Sequence, residues 1–145
     1  MGKLTKSIEI EASPKEVFNF INDTEKMNKA HEGFTKAEYT SKGPVGVGTT
    51  MHFVGTHGGS KMEWDMEVTE FVKNKKVTTH TEKPANMTNF LTLEPTTKGT
   101  KLTHSVDYEL PYSILGKLID KLKVSKDINK ELTFWLENAK KVLEA

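Results

Sequence analysis

Hydrophobic residues recur at every second position along several stretches of the chain, with polar residues between them. The clearest case is residues 62–69, where Met62, Trp64, Met66 and Val68 alternate with charged or polar residues. Alternation with a period of two is typical of a β-strand that buries one face. The same kind of pattern, bounded by turn-forming residues, predicts further strands at residues 4–11, 34–39, 49–54, 76–82, 87–94 and 100–110.

Two short helices are predicted after the first strand. Ser13 is followed three residues later by Glu16, which is the capping box of a helix N-terminus, and Pro14 stands at the first helical position. Apolar residues then recur at one-turn spacing, so residues 14–22 are predicted to form an amphipathic helix. A second short helix is expected to begin at residue 23 or 24 and to run to residue 31.

One long helix is predicted over residues 113–144, where an apolar stripe that includes Trp135 repeats at helical spacing. One strand, two short helices, about six strands and a final helix indicate an α+β fold with an antiparallel sheet. No internal repeat or linker is found, so a single domain over residues 1–145 is expected. If the sheet curves around the last helix, the stripe at Trp135 would pack on the even-numbered face of residues 62–69.

A glycine-rich stretch, SKGPVGVGTTMHF at residues 41–53, could suggest a phosphate-binding loop. Such a loop needs a helix directly after it, because the helix N-terminus receives the phosphate. Here β-forming residues follow, and no helix start is present. The sequence therefore predicts that Gly46 and Gly48 turn the chain into a strand.

Composition and charge exclude several classes of function. The 145 residues carry a net charge of +1, and all 21 basic residues are Lys. Without Arg the chain lacks the bidentate fork that reads guanine edges and phosphates, so no nucleic-acid partner is expected. The absence of Cys excludes disulfides, zinc–thiolate sites and a Cys nucleophile. No apolar run approaches the roughly 18 residues that span a bilayer, and no secretion signal is found. Stable membrane insertion is therefore not expected. A cytoplasmic location is expected.

Four stretches of the sequence together resemble the START-like superfamily, also called SRPBCC or the polyketide cyclase/dehydrase and lipid transport family. They are IEIEASPKEVFNFINDTEKM, GPVGVGTTMHF, WDMEVTEFVKNKKV and TKGTKLTHSVDYELP. The resemblance implies a helix-grip fold, in which a curved antiparallel sheet of about seven strands surrounds the long C-terminal helix and leaves a cavity. One departure is that Met27 and His31 stand where relatives often carry tryptophans.

The resemblance also implies a choice among three classes of function. Family members include lipid and hormone carriers, aromatase/cyclases and chaperone-activator domains. We expect the binding or transport of a small hydrophobic molecule, lipid-like or aromatic, in the internal cavity and without a cofactor. The alternatives are a polyketide cyclase or dehydratase that uses the same cavity, and a protein-interaction domain. The sequence favours binding over catalysis and predicts no particular oligomeric state.

Residues of the predicted strands provide candidates for the cavity wall. Four of the six methionines fall in the sheet region, and their flexible thioethers suit an adaptable apolar surface, although filling a core is their commoner role. His104 is a candidate polar anchor because its neighbours of the same parity are apolar. The ligand-binding candidates are Met51, Met62, Trp64, Met66, Leu91, His104, Val106 and Tyr108.

A catalytic role has weaker support from the sequence. His104 and Tyr108 share one face of a strand, so they could act as acid and base on a ligand carbonyl. The commoner roles are a hydrogen-bonded buried His and a packed Tyr. His52 and His80 would join His104 only if all three faced the same side of the sheet. No His pair has metal-ligand spacing and no Ser has the context of a hydrolase nucleophile, so neither a metal site nor Ser hydrolysis is expected.

Overall fold

Seven β-strands and two α-helices form the part of the protein that the structure describes. The computed structural model describes residues 2–23, 26, 34–57, 60–83, 86–109 and 118–145. The elements are β1 (Gly2–Ile10), α1 (Pro14–Ile21), β2 (Phe34–Tyr39), β3 (Thr50–His57), β4 (Ser60–Val72), β5 (Lys76–Thr81), β6 (Asn86–Pro95), β7 (Thr100–Glu109) and α2 (Leu118–Leu143).

The predicted strands, the first helix and the last helix are confirmed by these elements. The second short helix, expected up to residue 31, lies outside the described residues except for Lys26. The junction between β7 and α2, residues 110–117, also lies outside them. Neither described helix has the length and apolar character of a membrane span.

All seven strands form one antiparallel sheet in the order β1-β7-β6-β5-β4-β3-β2. Strands β2 to β7 follow one another in sequence and in space, whereas β1 joins the sheet at the far edge beside β7. α2 packs on one face of the sheet, which we call the concave face; the opposite face is the convex face. This is the helix-grip arrangement. Among the side chains of α2 that the structure describes, Leu132, Trp135, Leu136 and Ala139 are buried.

An irregularity in β4 changes which of its residues face α2. Val68 belongs to the even-numbered face and is buried in the same cluster as Trp135. The pairing register shifts directly after Val68, so the odd-numbered Phe71 is the next residue to pack on that cluster. Trp64 and Met66 pack on a different cluster. The prediction that the even-numbered face packs against the Trp135 stripe is therefore correct for Val68 and wrong for the other two.

The glycine-rich stretch connects β2 to β3. Gly43 and Gly48 have φ angles of 93° and 92°, in the left-handed region that glycine adopts without a steric cost. The backbone N–H of Thr49 donates to the carbonyl of Gly46 at 3.1 Å, which closes a turn just before β3. A strand and not a helix follows the loop, so the prediction of a turn is confirmed.

α1 begins at the capping residue that the sequence indicated. The Ser13 hydroxyl accepts a hydrogen bond from the backbone N–H of Glu16 at 3.2 Å, and Pro14 lies in the first turn. This bond satisfies one of the backbone donors that a helix N-terminus leaves without an intrahelical partner. The cap fixes where α1 starts and therefore which side chains it buries. These are Val17, Phe18, Phe20 and Ile21.

Candidate functional site

Three separate groups of buried residues cover the concave face in the described part of the chain. The first contains Trp135 of α2 together with residues of α1 and the central strands. The second contains Met51 and Phe53 of β3, and the third contains Val106 and Tyr108 of β7. One contiguous core per domain is usual. The described side chains therefore do not fill the concave face as a single continuous core.

Half-buried apolar side chains lie at the borders of these groups. Trp64 and Met66 pack on the second group, Leu91 on the first and Met87 on the third. Each keeps part of its surface exposed although it lies on the concave face and not on the outer surface of the sheet. These four residues give the concave wall apolar surface that is only partly covered.

The seven predicted ligand-binding residues whose side chains the structure describes have two different environments. Trp64, Met66, Leu91 and His104 are half-buried on the concave face. Met51, Val106 and Tyr108 are buried, with 6%, 1% and 7% of their surface exposed. The side chain of Met62 lies outside the described residues.

Cross-strand pairing places three methionines in one row across the concave face. Met51 pairs with Met66, Thr81 pairs with Met87, and Met87 pairs with Tyr108. The register of β4 on β5 places Met66 beside Thr81. We call these five residues the methionine row. Because unbranched thioether side chains change rotamer readily, a wall of this composition can adapt its shape.

His104 is fixed at the contact between the sheet and α2. Its Nε2 lies 2.9 Å from Oδ1 of Asn89, and because an amide oxygen only accepts, Nε2 carries the proton and donates. The imidazole also meets the indole of Trp135 edge to face, with ring centroids 5.4 Å apart. The sequence predicted that His104 faces inward, but it gave no sign of either partner.

Tyr108 lies on the same face as His104, as predicted, but its ring packs at the edge of the sheet. Gly2 of β1 pairs with Tyr108. A Cβ atom at Gly2 would lie only 2.2 Å from Cζ and 2.4 Å from the hydroxyl oxygen of Tyr108. The ring therefore lies directly over the backbone of Gly2. His104 and Tyr108 share a face, but His104 contacts Asn89 and Trp135, whereas Tyr108 lies against Gly2.

The histidines of β3 and β5 lie on the convex face. His52 Nδ1 is 2.7 Å from the carboxylate of Asp65, which is exposed, and this hydrogen bond raises the pKa of His52. His80 Nδ1 is 3.0 Å from the hydroxyl of Thr88. Because both alternate with concave-face residues, the two histidines do not converge with His104. Within the described ranges, no cluster of His, Asp or Glu is arranged to hold a metal ion.

An open cleft of about 630 Å³ lies between the end of α1 and the concave-face residues Tyr39 and Phe71. The rings of Phe18 and Phe71 meet edge to face, with centroids 5.1 Å apart. The Tyr39 hydroxyl donates to the backbone carbonyl of Asn22. Burial, and then the charge of Asp23, raises the pKa of Tyr39 to about 12, so the phenol is protonated at neutral pH. The described lining residues are Phe18, Asn19, Asn22, Asp23, Tyr39, Val45, Phe71 and Lys73.

None of the eight predicted ligand-binding residues is among the described residues that line this cleft. The wall predicted from the sequence and the cleft are therefore two different parts of the concave side. Tyr39 has the same parity as the buried Ala37 on β2, and this alternation is the one local signal that could have placed Tyr39 there. The approach of α1 to Phe71 is a tertiary contact that no local pattern encodes.

Comparison with solved structures shows the same fold in proteins of low sequence identity. TTHA0849 from Thermus thermophilus is 20% identical with a TM-score of 0.83, over 97% of this chain and 95% of that chain. Ara h 8.0201 is 13% identical with a TM-score of 0.73, over 98% of this chain and 97% of that chain. The di-domain ARO/CYC StfQ from the steffimycin biosynthetic pathway is 14% identical with a TM-score of 0.82. This chain is covered to 98% and StfQ to 50%.

No curated protein matches the chain. The family model for polyketide cyclase/dehydrase and lipid transport matches residues 1–144. The match spans every described element, from β1 to α2, and it agrees with the helix-grip arrangement of the sheet. This chain therefore belongs to the polyketide cyclase/dehydrase and lipid transport family.

Proposed function

We propose that this protein is a carrier that binds a small hydrophobic molecule on the concave face, between the sheet and α2. One observation carries the proposal: Trp64, Met66, Met87 and Leu91 are apolar, lie on the concave face and are only half-buried. When an apolar ligand covers such side chains, their remaining apolar surface is removed from water, and this favours binding. Family and fold are consistent with this class of function.

The expected affinity follows from the apolar area that a ligand would bury. Covering about 300 Å² of apolar ligand surface gives roughly 7 kcal/mol before any costs, at about 25 cal/mol per Å². The loss of translational and rotational freedom then reduces the net binding free energy toward that of micromolar complexes.

The cleft beside Tyr39 and Phe71 is the proposed opening to the concave face. Tyr39 packs on the buried group around Met51, and Phe71 packs on the group that contains Trp135. A ligand that enters between α1 and these two rings would meet the wall formed by Trp64 and Met66. The aromatic rings give this path an apolar lining, while Asn19 and Lys73 are exposed at its rim.

Binding can be tested with N-phenyl-1-naphthylamine, an uncharged dye whose fluorescence rises in apolar surroundings. We expect the wild-type protein to bind it with micromolar affinity, and Met66→Trp to weaken binding about tenfold because the larger side chain fills the wall. Glu67→Trp is the matched control, because Glu67 is the next residue on β4 and is exposed on the convex face. It should bind as the wild type does.

Native mass spectrometry of freshly purified protein, followed by solvent extraction, would identify the class of any co-purified ligand. An absence of dye binding by the folded wild-type protein would contradict the carrier function. Equal binding by the Met66→Trp and Glu67→Trp variants would show that the dye binds elsewhere.

A second candidate function is a cyclase or dehydratase acting in the same site. It is favoured by the likeness of the fold to the ARO/CYC protein StfQ and by the position of His104 on the concave wall. If His104 acts as an acid or base, His104→Ala should abolish turnover of a poly-β-ketone thioester while dye affinity changes less than about threefold. A carrier should show no turnover that depends on His104.

A further inference from the structure

Three polar side chains interrupt the apolar concave face near the centre of the sheet. Thr79 of β5 forms a cross-strand pair with Asn89 of β6. Thr81 lies two positions beyond Thr79, so it is on the same face at a distance of about 7 Å along the strand. We call Thr79, Thr81 and Asn89 the polar strip. It adjoins the methionine row, of which Thr81 is also a member.

The hydroxyl of Thr81 is buried, and no described residue forms a hydrogen bond with it. Thr81 is 4% exposed, and its Oγ1 finds no partner in the described part of the chain. A buried hydroxyl that makes no hydrogen bond is destabilising, because folding has removed its water without replacing it. Its neighbours Met66 and Met87 are half-buried and flexible, so a ligand that displaces them can bring an oxygen to this hydroxyl.

Asn89 is oriented by His104 in a way that leaves its donor side available. The imidazole Nε2–H donates to Oδ1 of Asn89, so the amide turns its oxygen toward the ring and its NH₂ group is not used in this contact. No described residue accepts a hydrogen bond from this NH₂ group. The polar strip therefore presents an amide N–H donor beside two hydroxyl groups, a combination that suits an acceptor atom.

The charges around the polar strip decide which kind of acceptor it can hold. Thr79, Thr81 and Asn89 are all uncharged at neutral pH. Lys6 pairs with His104 and shares the concave parity, but it is exposed on the edge strand β1. A buried anion is costly without a paired charge, whereas an uncharged oxygen needs only hydrogen-bond donors.

The geometry points to a polar strip that binds an uncharged oxygen, such as a ketone or ether oxygen, in the middle of a hydrophobic ligand. The ligand's oxygen accepts from the hydroxyl of Thr81 and from the NH₂ group of Asn89, and its apolar parts lie on Met66, Met87 and Leu91. This inference rests on the proposed function, because it requires a ligand on the concave face.

Three probes of nearly equal shape test the inference: tetralin, 1-tetralone, and 1,2,3,4-tetrahydro-1-naphthoic acid. Tetralin has no oxygen, 1-tetralone has one ketone, and the acid is an anion at neutral pH. Dissociation constants are measured from amide chemical shifts of the full chain during NMR titrations. We expect 1-tetralone to bind about threefold to tenfold more tightly than tetralin, as is usual for one net hydrogen bond.

Variants of Thr81 assign the advantage of the ketone to its hydroxyl. Thr81→Val keeps the shape of the side chain and removes the hydroxyl. The dissociation constants of tetralin and 1-tetralone should therefore come to within about twofold of each other. Thr81→Ser keeps the hydroxyl and should keep the advantage. Thr103→Val is the matched control, because Thr103 is half-buried on the convex face of β7, and it should behave as the wild type does.

The outcomes separate the inference from the proposed function. If no probe binds to the folded protein, both are wrong. If tetralin and 1-tetralone bind equally well to the wild-type protein, the inference is overturned and the proposed function stands. Tightest binding by the acid would show that the site reads an anion and would also overturn the inference. The comparison of the probes on the wild-type protein decides the matter even if Thr81→Val does not fold.

Discussion

Gly99 allows the turn between β6 and β7 to lie against the backbone that leaves β1. A Cβ atom at Gly99 would be 2.3 Å from the carbonyl oxygen of Ile10 and 2.8 Å from the backbone nitrogen of Ala12. The next residue, Thr100, is fully buried, and its hydroxyl donates to the carbonyl of Ala12 at 2.7 Å. This turn therefore anchors the connection from β1 to α1.

Gly99→Ala is expected to lower the free energy of unfolding by about 1–3 kcal/mol, the usual cost of forcing extra atoms into a packed site. Backbone atoms surround the added methyl group, so no side chain can move aside to relieve the contact. Urea denaturation measures the change. Gly46→Ala is the control, because nothing lies within 4 Å of a Cβ atom there, and its effect should be within about 0.5 kcal/mol. Similar losses in both variants would contradict the explanation.

The inward orientation of His104 could be predicted from single residues, but its hydrogen bond could not. Leu102 and Val106 share the parity of His104, and both are buried on the concave face. Its partner Asn89 is 15 residues away along the chain, and their contact depends on the register of β6 on β7. Register is set by the connection and by the packing of whole strands, so the residues near His104 do not reveal it.

At the scale of elements, alternation of polar and apolar residues was enough to locate the strands, but it did not show where β4 changes face. Residues 62–68 alternate regularly, and the shift directly after Val68 brings Phe71 to the concave side. A bulge needs one extra residue in one strand only. Because that mismatch is defined by the partner strand, the sequence of β4 alone does not specify it.

The start of α1, by contrast, follows from one residue, and this leads to a prediction. Ser13→Ala removes the acceptor for the N–H of Glu16 and should lower the free energy of unfolding by about 1 kcal/mol. Ser13→Asp keeps a capping oxygen and adds a favourable charge at the helix N-terminus, so it should stay within about 0.5 kcal/mol of the wild type. Chemical denaturation followed by far-ultraviolet circular dichroism measures both variants. An equal loss in both would show that the cap is not the cause.

At the scale of the whole molecule, the order of elements predicted the α+β class, and the resemblance implied the helix grip. What neither could give is the rotation of α2 against the sheet, which brings Trp135 onto His104. That rotation is the sum of many contacts between distant residues, so no segment of sequence contains it. The division of the buried residues into three groups depends on the same packing.

The last turn of α2 forms hydrogen bonds with the junction between β1 and α1, and these bonds help to hold the helix against the sheet. The Glu144 carboxylate accepts from the backbone N–H of Glu11 at 2.9 Å and from Nζ of Lys140 at 2.7 Å. Lys140 Nζ also donates to the backbone carbonyl of Glu9 at 2.8 Å. The helix α2 forms one side of the proposed binding site. Its C-terminal end is thus bound to the end of the edge strand β1 and to the residue that follows it.

This contact should make part of the stability depend on pH. The hydrogen bond from Lys140, and then the one from the N–H of Glu11, lower the pKa of Glu144. A carboxyl group whose folded pKa is lowered stabilises the fold fully above its unfolded pKa, roughly 4.3, and loses that contribution as the pH falls through its folded pKa. Glu144→Gln should therefore be less stable than the wild type at pH 7, and the difference should shrink below about pH 4.

Urea midpoints at pH 7 and at about pH 3 measure this change, and hydrogen exchange of the Glu11 amide reports the contact itself. Exchange at Glu11 should be faster in Glu144→Gln than in the wild type at pH 7, because the neutral amide oxygen of Gln accepts a weaker hydrogen bond from this N–H than the carboxylate does. Glu137→Gln is the control, because Glu137 is exposed on the same helix and its loss changes the net charge equally. If both variants respond to pH in the same way, the effect comes from net charge. The explanation that the hydrogen bonds of Glu144 stabilise the position of α2 would then be wrong.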